Sequence, residues 1–247
     1  MSATTRRDVL ATAALAGVGA ALFGGCSATR RNGHVVHGEH GINDDTAGLT
    51  PDEALAKLTD GNARFVAMTE VEPNLSTMRL MAVAQGQRPF VGVLGCVDSR
   101  VPPELVFDRG LGDVFDARIA GAISDDAAIG SLEFGVDEFD VPLLVVLGHS
   151  KCGAVTAAVK EVSTGEARPP GRIGSVVDPI IPAVRAMQAQ GVEPDELVNA
   201  AAKDVVGRGV AALRGSPVLK ERLASGRLKV VGAFYDLDTG KVEFLSS

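Results

Sequence analysis

Two short segments of the chain carry side chains that bind soft metal ions. Residues 96–100 read CVDSR and supply a thiol, and residues 149–153 read HSKCG and supply an imidazole and a second thiol. Zn²⁺ prefers four ligands and accepts both sulfur and nitrogen donors. Cys96, His149 and Cys152 would therefore provide three zinc ligands and leave the fourth position for water, which is the arrangement of a catalytic zinc site.

The first segment also places a carboxylate and a guanidinium two residues apart. Asp98 and Arg100 can form a direct ion pair with two hydrogen bonds. Asp98 can instead occupy the fourth position of the metal and close the site, so it is a candidate both for a catalytic role and for a metal ligand. An ordinary surface ion pair between the two side chains is the alternative without a function.

Other interpretations of the cysteines remain open at this point. A buried cysteine on its own is more often a small apolar core residue than a ligand. A CxxC redox pair is excluded within either segment, because each segment contains one cysteine. A disulfide between Cys96 and Cys152 is the serious alternative in an exported protein. His149 favours a metal site, because it follows a strongly apolar run and precedes Cys152 by three residues.

Both segments follow apolar runs that are typical of buried β-strands. Residues 90–94 precede the first segment and residues 141–147 precede the second. Continuous apolar strands indicate a parallel sheet that helices cover on both faces. Ligands of such sheets bind beyond the carboxyl ends of the strands. If the two strands are neighbours, the two segments meet in one crevice.

The rest of the pattern predicts an α/β fold. Further strands are predicted at residues 114–119 and 228–235, and a turn at 236–240 leads into an antiparallel edge strand at 241–245. The first helix is predicted to begin at Thr50-Pro51, because Thr is a good N-cap and Pro suits the first helical position. Other helices are predicted at residues 77–85, 126–138, 153–161, 178–188 and 195–212, and a Gly- and Pro-containing loop at 165–175.

Composition and charge exclude several classes of protein. The chain has 247 residues, a formal net charge of −7 and 4% aromatic residues, with no Trp. We therefore expect neither a broad basic surface nor a stacking platform for nucleic acid. The three cysteines are too few for a disulfide scaffold. No apolar run has the length and hydropathy that a polytopic membrane protein needs.

Residues 1–26 are predicted to be an export signal. Arg6 and Arg7 in a polar setting precede a mildly hydrophobic stretch at residues 9–25, a pattern that resembles a twin-arginine (Tat) signal. Small residues before Cys26 resemble a lipobox, which would make Cys26 the attachment point of a lipid anchor. These features predict an extracytoplasmic protein that is a membrane-anchored lipoprotein if Cys26 is lipidated. An N-terminal anchor helix that stays attached is the alternative.

Residues 27–49 are predicted to be a flexible linker between the signal and a folded domain at residues 50–247. The linker is polar and has no apolar period. It also contains His34, His37 and His40. Imidazoles at short spacing can share a cation, so a metal-collecting tail is one interpretation, and a solvated tether with incidental histidines is the other.

Longer stretches of the chain repeat the patterns of a known family. Residues 96–104 (CVDSRVPPE) and 148–154 (GHSKCGA) look like the two zinc motifs of β-class carbonic anhydrases. Residues 61–65, 107–113 and 235–240 are also similar to segments of this family. The resemblance covers nearly all of the predicted folded domain, and the paired motifs are highly specific.

The resemblance implies a fold, an assembly and an activity. The fold is a four-stranded parallel sheet with an antiparallel fifth strand, flanked by helices and built into homodimers or larger homo-oligomers. The activity is reversible hydration of CO2 to bicarbonate and a proton by zinc-bound hydroxide. It requires one Zn²⁺ per chain, with Cys96, His149 and Cys152 as the ligands.

The resemblance also assigns roles around the metal. Asp98 would pair with Arg100 in the active form and coordinate zinc itself in an inactive form. Gly153 would lie beside the metal at the start of a helix and contact the substrate. Members of the family often have Asn at the positions of Ile119 and Ala122, so hydrogen bonds there must differ. A subset has an inhibitory bicarbonate pocket that uses a Trp, which this chain lacks.

The motifs leave two alternative functions open. Hydrolysis of CS2 or COS occurs on the same scaffold with the same zinc site. A non-catalytic protein that binds zinc or bicarbonate would result if Asp98 closed the site permanently. The intact pair of Asp98 and Arg100 argues against this second alternative.

Overall fold

The computed structural model describes residues 46–165, 167 and 169–245, and shows a five-stranded mixed sheet. The strand order is β2-β1-β3-β4-β5. The first four strands are parallel, and β5 runs antiparallel to β4 at the edge. The strands are β1 (Val91–Gly95), β2 (Val114–Arg118), β3 (Leu143–His149), β4 (Lys229–Tyr235) and β5 (Val242–Leu245). The predicted fold class is therefore confirmed.

Nine α-helices flank the sheet in the described part of the chain. They are α1 (Pro51–Ala67), α2 (Thr77–Val83), α3 (Pro103–Val106), α4 (Asp126–Phe139), α5 (Gly153–Thr164), α6 (Gly174–Val177), α7 (Ile181–Ala189), α8 (Leu197–Arg214) and α9 (Lys220–Ala224). Two short 3-10 turns cover Ala120–Ala122 and Asp178–Ile180. The sequence pattern does not predict α3, α6 and α9, because four or five residues are too few to show an apolar period.

Several boundaries differ from the sequence-based prediction. The third strand begins at Leu143 and not at Val141, because Pro142 has no N–H to contribute to a strand ladder. The segment predicted as one helix from residue 178 starts with the 3-10 turn, and α7 begins at Ile181. The predicted loop at residues 165–175 ends where α6 begins.

The start of α1 follows from its capping residues, as predicted. The Thr50 hydroxyl accepts the Glu53 N–H at 3.3 Å, and the Glu53 carboxylate accepts the Thr50 N–H at 2.8 Å. This reciprocal arrangement satisfies two N–H groups that the first helical turn leaves without partners. Pro51 occupies the first helical position, where a missing N–H costs nothing.

Helices cover both faces of the central strands, which explains their continuous apolar sequences. Val93 of β1 packs with Leu58 of α1 on one face, and Leu94 packs with Leu132 of α4 on the other. Every residue of β1 and β3 is buried. The core therefore lies on both sides of the sheet, and the polar side chains of the two segments that supply the candidate ligands lie where β1 and β3 end, at their carboxyl ends.

Helix α8 lies unusually close to the sheet beside the end of β3. A Cβ atom added at Gly148 would lie 2.6 Å from Cγ2 of Val206, so only glycine allows this approach. The contact fixes α8 against the strand that ends at His149.

None of the helices in the described residues is both long enough and apolar enough to span a bilayer. The predicted signal, the lipobox cysteine Cys26 and the histidines His34, His37 and His40 lie outside the described residues.

Candidate metal centre

The ends of two neighbouring strands bring the three predicted ligands together. Cys96 directly follows β1, His149 is the last residue of β3, and Cys152 directly precedes α5. Their ligand atoms all lie within 4.8 Å of one another. The residues are only 5%, 1% and 2% exposed, and both cysteines are free thiols, not a disulfide. Strands β1 and β3 pair in parallel, so the prediction that their two segments meet in one crevice is confirmed.

The imidazole of His149 is oriented for metal binding. Its Nδ1 lies 2.9 Å from the carbonyl oxygen of Ser150, so Nδ1 carries the hydrogen and donates it. The other nitrogen, Nε2, then has a free lone pair, and it is buried without a hydrogen-bond partner. Leaving a buried polar atom unsatisfied is costly, and a metal ion would remove that cost.

The surroundings of the two thiols favour the binding of a divalent cation. A hydrogen bond from the Cys152 thiol to the Cys96 sulfur lowers the pKa of Cys96 below its usual range. The same hydrogen bond, together with burial, raises the pKa of Cys152. The Gly121 N–H also donates to Cys96 Sγ at 3.3 Å. A cation between the two sulfurs would stabilise both as thiolates, the form in which cysteine binds metals. Two sulfur donors and one nitrogen donor fit Zn²⁺.

Burial and nearby negative charge shift the pKa of His149 in opposite directions. Burial alone would lower the pKa of His149, but the neighbouring Cys96 sulfur and the Asp98 carboxylate raise it overall. A cation at the same position would supply the positive charge that these groups attract.

Asp98 lies beside the three ligands but is held by Arg100. Arg100 Nε donates to Asp98 Oδ1 at 2.9 Å, Nη2 donates to Oδ2 at 2.7 Å, and the Arg100 backbone N–H donates to Oδ1 at 3.0 Å. Arg100 lowers the pKa of Asp98 well below its usual range, so the carboxylate is charged. Asp98 Oδ2 is 3.9 Å from His149 Nε2, which distinguishes this pair from an ordinary surface ion pair.

Arg118 holds the segment that carries Cys96 and Asp98, a role that the sequence alone did not reveal. Its Nε donates to the Cys96 carbonyl at 2.9 Å, and its Nη2 donates to the Asp98 carbonyl at 2.6 Å. The available signal was that two charged side chains, Asp116 and Arg118, interrupt a short strand. Arg118 is at the end of β2, paired with Gly95 of β1, so it reaches the neighbouring segment.

Gly153 occupies the first position of α5, directly after Cys152. A Cβ atom at this position would meet no atom within 4 Å. The residue faces a cavity of about 270 Å³ that Thr156, Lys160 and Glu161 also line.

Comparison with known proteins gives this geometry a family. The family model described as carbonic anhydrase matches residues 91–242, which include both metal-binding segments. The chain belongs to the carbonic anhydrase family. Carbonic anhydrase 2 of Mycobacterium tuberculosis is 40% identical over 192 residues, which cover 77% of this chain and 91% of the relative. A carbonic anhydrase of Mycolicibacterium smegmatis is 40% identical over 197 residues, which cover 79% and 94%.

Solved structures assign this carbonic anhydrase to the β class. The β-carbonic anhydrase CafA of Aspergillus fumigatus superposes with a TM-score of 0.62 at 30% identity, covering 79% of this chain and 90% of that chain. A structure from a study of two tetrameric β-carbonic anhydrases of Sordaria macrospora also gives a TM-score of 0.62, at 26% identity, covering 78% and 96%.

Further residues of this carbonic anhydrase contact the loop between His149 and Cys152. The Asn199 side chain accepts the Lys151 N–H, and the Lys151 ammonium pairs with Asp238. Sequence reasoning did not connect Asn199 to the site, because Asn199 is distant in the chain and belongs to no recognised motif. Asp238 lies in the segment 235–240 that resembles the family, but no role near the metal was predicted for it.

Proposed function

We propose that this chain catalyses the reversible hydration of CO2 to bicarbonate and a proton, with one Zn²⁺ held by Cys96, His149 and Cys152. The observation that carries the proposal is the convergence of three buried sulfur and nitrogen donors within 4.8 Å. Family membership supports the same activity. When bound, Zn²⁺ supplies Lewis acidity, which makes water reactive toward CO2 near neutral pH.

The ligands set the charge and shape of the site. Two thiolates balance the two positive charges of Zn²⁺, so the ligand set leaves the centre formally neutral. The carbonyl of Ser150 holds the hydrogen on His149 Nδ1, which keeps Nε2 free for the metal. Gly153 leaves the space beside Cys152 open, and a small apolar molecule such as CO2 can approach there.

Asp98 and Arg100 act as a pair. Arg100 holds the Asp98 carboxylate by two hydrogen bonds, which would leave the fourth position of a bound zinc ion to water. The charged carboxylate, whose Oδ2 lies 3.9 Å from His149 Nε2, would then be placed to accept a hydrogen bond from a water molecule at the site and orient it. His149 is the only histidine in the sequence after residue 40. The proton therefore leaves to water, to buffer or to a carboxylate.

Stopped-flow measurement of CO2 hydration by the zinc-loaded chain tests this proposal. We expect turnover far above the buffer rate, and loss of both zinc and turnover in Cys152→Ser. A protein with one zinc per chain and no CO2 hydration would contradict the proposal. Assays with COS and CS2 on the same preparation test the alternative hydrolase activity, which no observation in the structure favours.

We propose that the chain forms a homodimer or a larger homo-oligomer. Large apolar side chains between residues 68 and 81 are more than half exposed, and such a patch is typical of an interface. They are Met68, Val71, Leu75, Met78, Leu80 and Met81. The tetrameric state named for the Sordaria macrospora relatives supports this proposal. Sedimentation analysis that showed only a monomer at micromolar concentration would contradict it.

We propose that residues 1–26 direct export by a twin-arginine route and that Cys26 is a candidate for lipidation. Arg6 and Arg7 support this proposal, together with the mildly hydrophobic stretch that follows them. Replacing both arginines by lysine should trap the precursor in the cytoplasm, and mass spectrometry of the membrane fraction should show a lipid on Cys26. Unchanged export of the double variant would contradict the route.

A further inference from the structure

The loop between two of the ligands has a backbone conformation that its surroundings must impose. The loop runs from His149 to Cys152, and Lys151 in its middle has a φ of 55°. Residues other than glycine rarely adopt this left-handed conformation, and they keep it only where neighbouring contacts hold them. The contacts of Lys151 and Ser150 therefore decide where the two ligand atoms point.

Two elements outside the loop provide these contacts. The Lys151 N–H donates to Oδ1 of Asn199 on α8 at 3.2 Å. The Ser150 N–H donates to the Tyr235 carbonyl at 2.9 Å, and the Ser150 hydroxyl accepts the Leu237 N–H at 2.9 Å. The loop is thus bound on one side by α8 and on the other by the end of β4.

The ion pair at the tip of the loop is the weakest of these contacts. Lys151 Nζ lies 2.6 and 2.7 Å from the two carboxylate oxygens of Asp238. The side chains are 59% and 66% exposed, so water and salt screen the pair. Asn199 differs in that its side chain is partly buried and its hydrogen bond acts on the backbone of Lys151, although Lys151 itself is exposed.

Asn199 is also on a rigid support. Helix α8 approaches the sheet so closely that a Cβ at Gly148 would lie 2.6 Å from Val206 of the same helix. Gly148 immediately precedes the ligand His149 on β3. Helix α8 thus contacts β3 just before the ligand His149 and also contacts the loop just before the ligand Cys152.

We infer that Asn199 is a positioning residue for the metal, which holds the loop so that His149 Nε2 and Cys152 Sγ lie at ligand distance. Its side-chain oxygen fixes the left-handed backbone at Lys151 before a cation binds. The inference rests on the proposed zinc site. Loss of a group that orients a metal ligand typically weakens metal affinity by about 10- to 100-fold, and we expect loss of the Asn199 acceptor to have an effect in this range.

The rate of zinc transfer to a coloured chelator tests this role without reference to turnover. Each protein is loaded with one equivalent of zinc and mixed with excess chelator. Asn199→Leu keeps the size of the side chain and removes the acceptor, and we expect it to release zinc at least about tenfold faster. Asn199→Asp keeps an acceptor oxygen and should release zinc close to the wild-type rate. Asn199→Ala replaces the leucine variant if that variant does not fold.

Lys203→Ala is the matched control on the same helix. It removes an ion pair with Glu243 at 2.9 Å and a contact 5.0 Å from the centre of the Phe234 ring, but no contact with the loop. We expect its zinc release to match the wild type even if its melting temperature falls.

Three outcomes would overturn the inference. Wild-type release rates in the Asn199→Leu and Asn199→Ala variants would show that the contact does not position the ligands. Equal acceleration in Lys203→Ala would show that general packing of α8 is responsible. A wild-type chain that binds no zinc would overturn the inference together with the proposed function, whereas the first two outcomes leave the proposed function standing.

Discussion

Oδ2 of Asp98 lies 3.9 Å from Nε2 of His149, and both oxygens of the same carboxylate accept hydrogen bonds from Arg100. The carboxylate is therefore close enough to compete for a metal at the site, and a second residue restrains it. This relationship makes Arg100 the residue whose loss should convert the site from open to closed.

Replacing Arg100 by Ala should abolish most turnover while the zinc content stays the same. The charged Asp98 carboxylate loses its bidentate partner and becomes free to occupy the fourth position of the metal. Stopped-flow CO2 hydration and elemental analysis of the same sample test this expectation. The control is Arg88→Ala. Arg88 is exposed and precedes the N-terminal end of β1, which is opposite to the end that carries Cys96. An Arg100→Ala variant with wild-type turnover would show that the pair does not control access to the metal.

Replacing Cys152 by Ser should weaken zinc binding by more than about 100-fold, because even groups that only orient a ligand contribute up to that factor. The remaining two ligands cannot complete a tetrahedral site with protein donors. Competition with a chelator of known affinity measures the change. Cys26→Ser is the matched control, because Cys26 is the only cysteine outside the two metal-binding segments. Full occupancy of the Cys152→Ser variant under the same competition would contradict the ligand assignment.

The value of kcat/KM for CO2 hydration should rise with pH through an apparent pKa above about 7, the value for zinc held by three histidines. Two thiolates make zinc a weaker Lewis acid than neutral ligands do. Arg100 keeps the pKa of Asp98 well below this range, so protonation of Asp98 cannot cause the rise. The observed value would belong to the coupled site and not to one group. A profile that is flat from about pH 6 to about pH 9 would contradict this prediction.

These predictions depend on a site that was partly readable in the sequence. Cys96, His149 and Cys152 were identifiable because each lies shortly after an apolar run of the sequence and has a side chain that binds zinc. The sequence analysis had to assume that β1 and β3 are neighbours, because no local sequence pattern predicts which strands pair. Asn199 and Arg118 were not identifiable, because their roles arise when distant elements pack. Short helices such as α3 carry too few residues to show a period.

Replacing Asp108 by Asn should destabilise the protein at pH 7 by about 1–3 kcal/mol, the usual cost of disrupting buried hydrogen bonds. Asp108 accepts hydrogen bonds from Arg64 Nε at 2.6 Å and from the N–H groups of Val71 and Glu72 at 3.2 and 2.9 Å. Burial alone would raise the pKa of Asp108, but these donors lower it overall.

The sign of the pH dependence at Asp108 follows from that lowered pKa. Its contribution is present above the unfolded value of about 3.9 and is lost as the pH falls through the lower folded value. Urea unfolding at pH 7 and near pH 3 should therefore show a large difference between Asp108→Asn and wild type at pH 7 and a smaller one in acid. The control is Asp60→Asn, at an exposed acid of α1. An equal difference at both pH values would mean that the charge of Asp108 is not what stabilises the protein.

Replacing Met78 and Met81 by Glu should weaken self-association by at least about 2 kcal/mol, or roughly 30-fold in Kd. The two side chains are 80% and 67% exposed in a single chain, and two charges would be costly to bury in an interface. Sedimentation velocity across a dilution series measures the shift to smaller species. Val218→Glu, at a residue that is 49% exposed elsewhere on the surface, is the control. An unchanged distribution in the Met78/Met81 double variant would show that this patch is not the interface.

The separation of the ligands in the chain has a consequence for folding. Cys96 directly follows one strand and His149 ends another, and the two become neighbours only when β1 and β3 pair. An unfolded chain cannot offer this set of donors, so the free energy of zinc binding is also free energy of folding. At a free zinc concentration about 1,000 times Kd, this coupling adds about 4 kcal/mol to the stability of the native state. A bound cation would thus be a removable cross-link between the ends of β1 and β3. Removing it with a chelator should lower the melting temperature as well as abolish CO2 hydration.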